Sequence, residues 1–263
     1  MLNLIKYELI KKYKLFSIAI IFSLGLNVYL MTTGAAGSIA FIAFFPVVAA
    51  ILYIVDVIRM YSDDLNKKSG YMLFMTPNSG YKIVISKLVT AVLEVLAILL
   101  IYFVFILLNG VYIMYASQVN VSLSEAMTFI FDVTNFININ LADRLGINLS
   151  HVFLALLTLF VFLIGFITTV YTAVTIRKSL FSEIKFGAVL SFLIFLMLNW
   201  VLINLSTNIY NSMTPWYEQI IYSSVNTTVQ AFYMTLPINA FSIIQIIVLT
   251  FCSGYLLENK INL

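Results

Sequence analysis

Residues 88–115 read LVTAVLEVLAILLIYFVFILLNGVYIMY, an apolar run whose one charged residue is Glu94. A helix crossing the hydrocarbon of a bilayer needs roughly 17–25 mostly apolar residues, because each adds about 1.5 Å to a slab about 30 Å thick. This stretch crosses with length to spare, and the surplus is taken up by tilt or projects beyond the surface. Five further segments pass the same test: residues 15–31, 39–58, 151–176, 186–205 and 238–257. The first of these is the shortest and contains Asn27, while the second holds Pro46, which membrane helices tolerate.

Composition points the same way. Of 263 residues, 62% are hydrophobic and 10% charged, and the mean hydropathy is +1.05. Soluble domains carry about 25% charged residues, so this chain has too few charges to clothe a water-facing surface. The expected fold is all-α integral membrane, one transmembrane domain of six helices over residues 1–263. The net charge of +3 is spread over charges too sparse and segregated for a nucleic-acid patch, so no nucleic-acid partner is expected. Cys252, the lone cysteine, excludes an internal disulfide and a multi-cysteine metal site. Residues 1–14 run into the first span without the small-residue cleavage site of an export signal.

Basic residues orient the spans. Lys6, Lys11, Lys12 and Lys14 precede the first span, and Arg59, Lys67, Lys68, Lys82 and Lys87 separate the second from the third. Arg177, Lys178 and Lys185 lie between the fourth and fifth, and Lys260 follows the sixth. Only Arg144 of the 14 falls on the other side. The expected location is the cell (plasma) membrane, multi-pass, with both termini in the cytoplasm.

Four segments lie outside the spans. In residues 1–14, Leu2, Ile5 and Leu9 oppose Lys6, Glu8, Lys11, Lys12 and Lys14, the pattern of an interfacial amphipathic helix on the inner leaflet; the alternative is a slack tail. Residues 59–87 form the largest cytoplasmic piece. There Ser62 fits an N-cap, Asp63 and Asp64 a first turn, Lys67 and Lys68 a last turn, and Gly70 a stop. Tyr71-Met72-Leu73-Phe74-Met75 then follows. Five apolar residues in a row either dip into the interface, dock on another protein or pack on the chain's own helix ends. Outside, residues 117–150 begin a surface helix at the capping box of Ser122 and Glu125. Residues 206–236, rich in aromatics and without Lys or Arg, read as a re-entrant or surface-lying hairpin, or as an aromatic belt.

Catalytic patterns are missing. No P-loop occurs, His151 stands alone near a span boundary, and no H-E-x-x-H pattern is present, so the chain is not expected to be an enzyme. Asp56 and Arg59 are one turn apart and spaced to pair. Glu94 lies about 10 Å into the third span along the helix axis. Its charge costs on the order of 2.5–3.5 kcal/mol there, so it must face protein or water, either as part of a gate or bridged to Arg59 or Lys87. With no chain of intramembrane acids, ion-driven transport is disfavoured.

The string Asp64-Leu65-Asn66-Lys67-Lys68-Ser69-Gly70-Tyr71-Met72-Leu73-Phe74-Met75-Thr76-Pro77, continuing to Ser86-Lys87-Leu88, resembles the acidic–basic–glycine–apolar–proline run of ABC-2-type transporter permease subunits. The six-span layout with its N-terminal amphipathic helix is similar to small exporters of low-GC Gram-positive bacteria. Ser86 stands where many relatives carry glycine. The resemblance implies a cytoplasmic coupling helix that docks on ABC ATPase subunits, which bind the ATP and Mg. It also implies a second permease, identical or a sister chain. The coupling contact would be Asp63, Asp64, Leu65, Lys67, Lys68, Tyr71, Leu73 and Phe74, with Arg177 and Lys178 as a second one. With 22 Phe, 16 Tyr and no basic ring, the expected cargo is a hydrophobic or amphipathic peptide, a toxin or antimicrobial. A stand-alone carrier or channel, and a non-transport immunity or sensor protein, are the alternatives.

Overall fold

A computed structural model describes residues 2–66, 79–116, 149–181, 187–223 and 227–259. Among them every regular element is an α-helix: α1 Leu2–Thr32, α2 Ala35–Asn66, α3 Gly80–Ala116, α4 Leu149–Leu180, α5 Gly187–Ser223 and α6 Thr227–Asn259. All six are long and apolar enough to cross a bilayer. The chain is a multi-pass membrane protein.

The helices outrun the expected spans. At about 1.5 Å per residue, the 37 residues of α3 or α5 reach about 55 Å, well beyond the hydrocarbon. Three expected boundaries are absent as a result. Residues 2–14 are not a separate interfacial helix but the first turns of α1, since no Gly or Pro occurs before Gly25 to interrupt it. Ser62 does not begin a new helix, because residues 62–66 continue α2. The described part of 206–236 likewise extends α5 and opens α6, with Pro215 and Pro237 inside those helices. Residues 117–148 lie outside the described residues. Where a sharp turn does occur, between α1 and α2, Gly34 takes φ of 95° and its N–H donates to the Met31 carbonyl at 3.0 Å. This left-handed cap is one that glycine adopts without steric cost.

Two compact units divide the chain. The first combines residues 1–60 with 86–131. Its α1 and α3 run parallel, as the near-constant sequence separation of their bonded pairs requires: Glu8–Lys87 (79), Met31–Tyr112 (81) and Asn27–Asn109 (82). α2 runs antiparallel to α3, so the separation widens along the pair, from Met60–Lys87 (27) through Tyr53–Ala91 (38) to Ile42–Tyr102 (60). Phe41, Phe45, Tyr102 and Phe105 form an aromatic cluster between those two helices, with ring centroids 5.1–5.9 Å apart. Pro46 cannot donate to the carbonyl of Ile42 one turn back, and the Tyr102 hydroxyl donates to that carbonyl instead, at 3.0 Å. That is how a proline is accommodated where no water reaches.

The second unit combines residues 61–85 with 132–263. Here α4 and α6 run parallel, joined by pairs separated by 76–81 residues. Gly165 lies at their contact, where its carbonyl accepts from Gln245 Nε2 at 3.5 Å. α5 packs on α4 through Phe166 and Phe195, whose rings meet edge to face at 5.4 Å. No residue in the most apolar stretch of α5 is buried within the chain. Phe192, Met197 and Trp200 all point outward, which a lipid environment favours and water does not.

Candidate functional site

The main polar assembly of the first unit is a cluster of charges, with Glu8, Lys87 and Glu94 buried and Lys12 and Asp56 partly so. α1 contributes Glu8 and Lys12, α2 Asp56, and α3 Lys87 and Glu94. Lys87 Nζ donates to Glu8 Oε1 at 2.8 Å, and both side chains are only 2% exposed. Lys12 reaches two carboxylates at once, Asp56 Oδ2 at 2.5 Å and Glu94 Oε1 at 2.6 Å. Tyr53 lies beside this pair and donates its hydroxyl to the Ala91 carbonyl at 2.8 Å. Nineteen residues up α1 from Glu8, the same two helices are joined again by Asn109 Nδ2 donating to Asn27 Oδ1 at 3.0 Å, with both side chains buried.

Helical spacing explains why these groups meet. Glu8 and Lys12 are one turn apart on one face of α1, and Lys87 and Glu94 are two turns apart on one face of α3. Because the helices run parallel, the acid of α1 meets the base of α3 and the base of α1 meets the acid of α3. Reversing the order on either helix would set like charges together. In an apolar setting each ion is tolerated only because it is paired. The assembly binds three helices together, with the Glu94 carboxylate against the Lys12 ammonium.

Sequence reasoning placed Asp56 beside Arg59 and bridged Glu94 to Arg59 or Lys87. The structure adds a partner that neither pairing included. Asp56 and Glu94 share Lys12, and Lys87 holds Glu8. Arg59 itself is exposed. The missing partner was α1, whose first turns had been assigned to the membrane surface.

The residues expected to contact an ATPase fall into three groups. Lys67, Lys68, Tyr71, Leu73 and Phe74 lie outside the described residues. Asp63, Asp64 and Leu65 form the last turns of α2, where Asp64 and Leu65 are buried and Asp63 is half-buried. Arg177 and Lys178 are half-buried in the last turn of α4, where cations complement the helix dipole. A Cβ on Gly187 would overlap the Arg177 guanidinium, so glycine there makes room for the arginine.

The second unit holds polar groups that sequence reasoning missed. Thr168, Thr169, Thr172 and Thr175 line one side of α4 and are all buried. Each donates its hydroxyl to a carbonyl three or four residues back, so none strands a proton in the apolar interior. Three cross-links then tie α4 to α6. Thr172 and Ser253 share a hydrogen bond at 2.9 Å, Gln245 Nε2 donates to Thr169 Oγ1 at 3.1 Å, and Asn239 Nδ2 donates to Thr158 Oγ1 at 3.0 Å. The signal was present in the three- and four-residue spacing of these threonines, the pattern of a helix face that packs on a neighbour. Among the described residues, no group of three or more His, Cys, Asp or Glu side chains is arranged to hold a metal ion. Compared with known proteins, the chain matches no family model, no curated protein and no solved structure.

Proposed function

We propose that this chain is the membrane-spanning subunit of an ATP-driven exporter of the ABC-2 type, without an ATPase site of its own. In this reading both termini and the connection between α2 and α3 face the cytoplasm of the cell membrane. Two such subunits, identical or sisters, enclose the route, and cytoplasmic ATPases that bind ATP and Mg drive it. The cargo is a hydrophobic or amphipathic peptide, in keeping with spans that are apolar and aromatic throughout.

The observation that carries the proposal is the run from Asp64 to Pro77. It joins α2 to α3, and its acidic, basic, glycine and apolar residues come in the order such permeases use. Two features support it. Glu94 is tied to Lys12, which argues against an ion-coupled carrier of the kind that needs open intramembrane acids. The charge cluster also ties α1, α2 and α3 into one body, as rocking between helix bundles requires.

Purification tests the proposal. The chain extracted in mild detergent should bring down a soluble ATPase that carries a P-loop. Changing Leu73 or Phe74 to a charged residue should abolish cargo-stimulated ATP hydrolysis while membrane insertion is kept. A chain that transports cargo with no ATPase bound would be a free-standing carrier. Reporter fusions at Lys67 and Lys178 must appear on the same face of the membrane, and opposite faces would end the proposal.

A further inference from the structure

We infer that both ends of the α2–α3 connection are built into the α4–α6 pair, so that a load on this connection is delivered to α4 and α6. The inference rests on the function proposed above only for what applies the load; the attachment itself is read from the second unit.

The first foot is Tyr61. Its ring lies against that of Tyr171 on α4, with centroids 4.1 Å apart and planes 13° apart, and both residues are almost wholly buried. The Tyr61 hydroxyl also meets Thr175 Oγ1. Thr175 spends its own proton on the Tyr171 carbonyl at 2.8 Å, so Tyr61 is the donor to Thr175. A stacked ring and a directed hydrogen bond fix both position and rotation.

The second foot is Gly80-Tyr81, the start of α3. A Cβ on Gly80 would lie 2.6 Å from the Gly254 carbonyl oxygen and 2.9 Å from Leu257 Cβ. A Cβ on Gly254 would overlap the Tyr81 ring. Backbones of α3 and α6 therefore touch here, and only glycine on each side permits it. Tyr81 lies over Phe251, with ring centroids 5.3 Å apart.

Each foot thus stands on a different helix of one cross-linked pair, since Thr172–Ser253, Thr169–Gln245 and Thr158–Asn239 hold α4 to α6. Beyond the two feet the unit changes. Met60 and the residues from Ser86 belong to the first unit, where Lys87 holds Glu8. The attachments of both ends of the connection thus lie within the second unit.

Hydrogen exchange on the full chain in lipid nanodiscs tests the attachment without any partner. Gly254→Val should speed exchange of the amides of residues 80–85 at least tenfold and leave 86–96 unchanged. Tyr171→Ala should do the same to 61–66 and spare 50–58. Tyr61→Phe, which keeps the ring and loses only the hydrogen bond, should give a smaller rise of a few-fold and guards against a variant that fails to fold. Gly110→Val, with nothing within 4 Å of its Cβ, is the control. Unchanged protection of both segments, or their loosening by Lys12→Ala instead, overturns the inference. With the ATPase partner present, Gly254→Val should retain ATPase binding and basal hydrolysis and lose at least tenfold in transport. Full transport by that variant would also overturn it. If the native chain binds no ATPase, the proposed function fails while the exchange data still decide the attachment.

Discussion

The Glu8–Lys87 pair gives the sharpest test of the charge cluster. Lys87→Met leaves the Glu8 carboxylate buried at 2% exposure with its cation gone. Breaking a buried pair from one side costs about 3–5 kcal/mol, because the remaining ion is uncompensated. Glu8→Leu takes the carboxylate from the Lys87 ammonium in the same way, and the Met60 carbonyl at 3.4 Å is a weaker, neutral acceptor. Additive behaviour would put the double variant about 6–10 kcal/mol below the native chain. With both ions replaced by apolar side chains of similar size, however, the desolvation cost also vanishes, and the double variant should lie near the native stability or above it. The coupling energy is then at least about 6 kcal/mol, the whole of the additive sum. Reversible unfolding in mixed bicelles, followed by far-ultraviolet circular dichroism, measures all four corners of the cycle. The exchanged pair, Glu8→Lys with Lys87→Glu, should recover much of the loss seen in either single reversal. Two small, additive single effects below about 1 kcal/mol, the range of an exposed ion pair, would refute the reasoning and mean that water reaches the cluster.

Lys12→Gln leaves Asp56 and Glu94 without their shared cation, so it should lower the yield of folded chain, and a second change, Glu94→Gln, should restore part of it in the same size-exclusion assay. Asn27→Leu removes the amide link between α1 and α3 and should cost about 0.6 kcal/mol and at most about 1.7, the range for interhelical hydrogen bonds in membranes, measured by the same unfolding transition. Thr172→Val should cost a similar amount by deleting the bond to Ser253. Gly110→Ala meets nothing within 4 Å and should raise stability by up to about 1 kcal/mol, the usual gain for replacing glycine inside a helix.

Hydropathy made all six spans legible, because crossing a bilayer is a demand on a continuous stretch of chain and is met residue by residue. What joins the spans was harder to read. Asp56–Arg59 was an attractive pair because neighbours on one helix are visible in a single line of sequence, whereas Lys12–Glu94 depends on two parallel helices being in register. That register leaves a faint trace: an acid and a base one turn apart on α1, and a base and an acid two turns apart on α3, in complementary order. Read alone, the lysines of residues 6–14 mark a surface-bound segment. With Glu8 among them, and no Gly or Pro before Gly25, they also fit the first turns of a spanning helix with its charges turned inward. Choosing between these requires the partner helix. The tail of α2 teaches the same lesson, since Ser62-Asp63-Asp64 has good capping chemistry yet stays helical. There Tyr61 stacks on Tyr171 and both Asp64 and Leu65 are buried, so tertiary packing holds the helix past the point where local preference would end it.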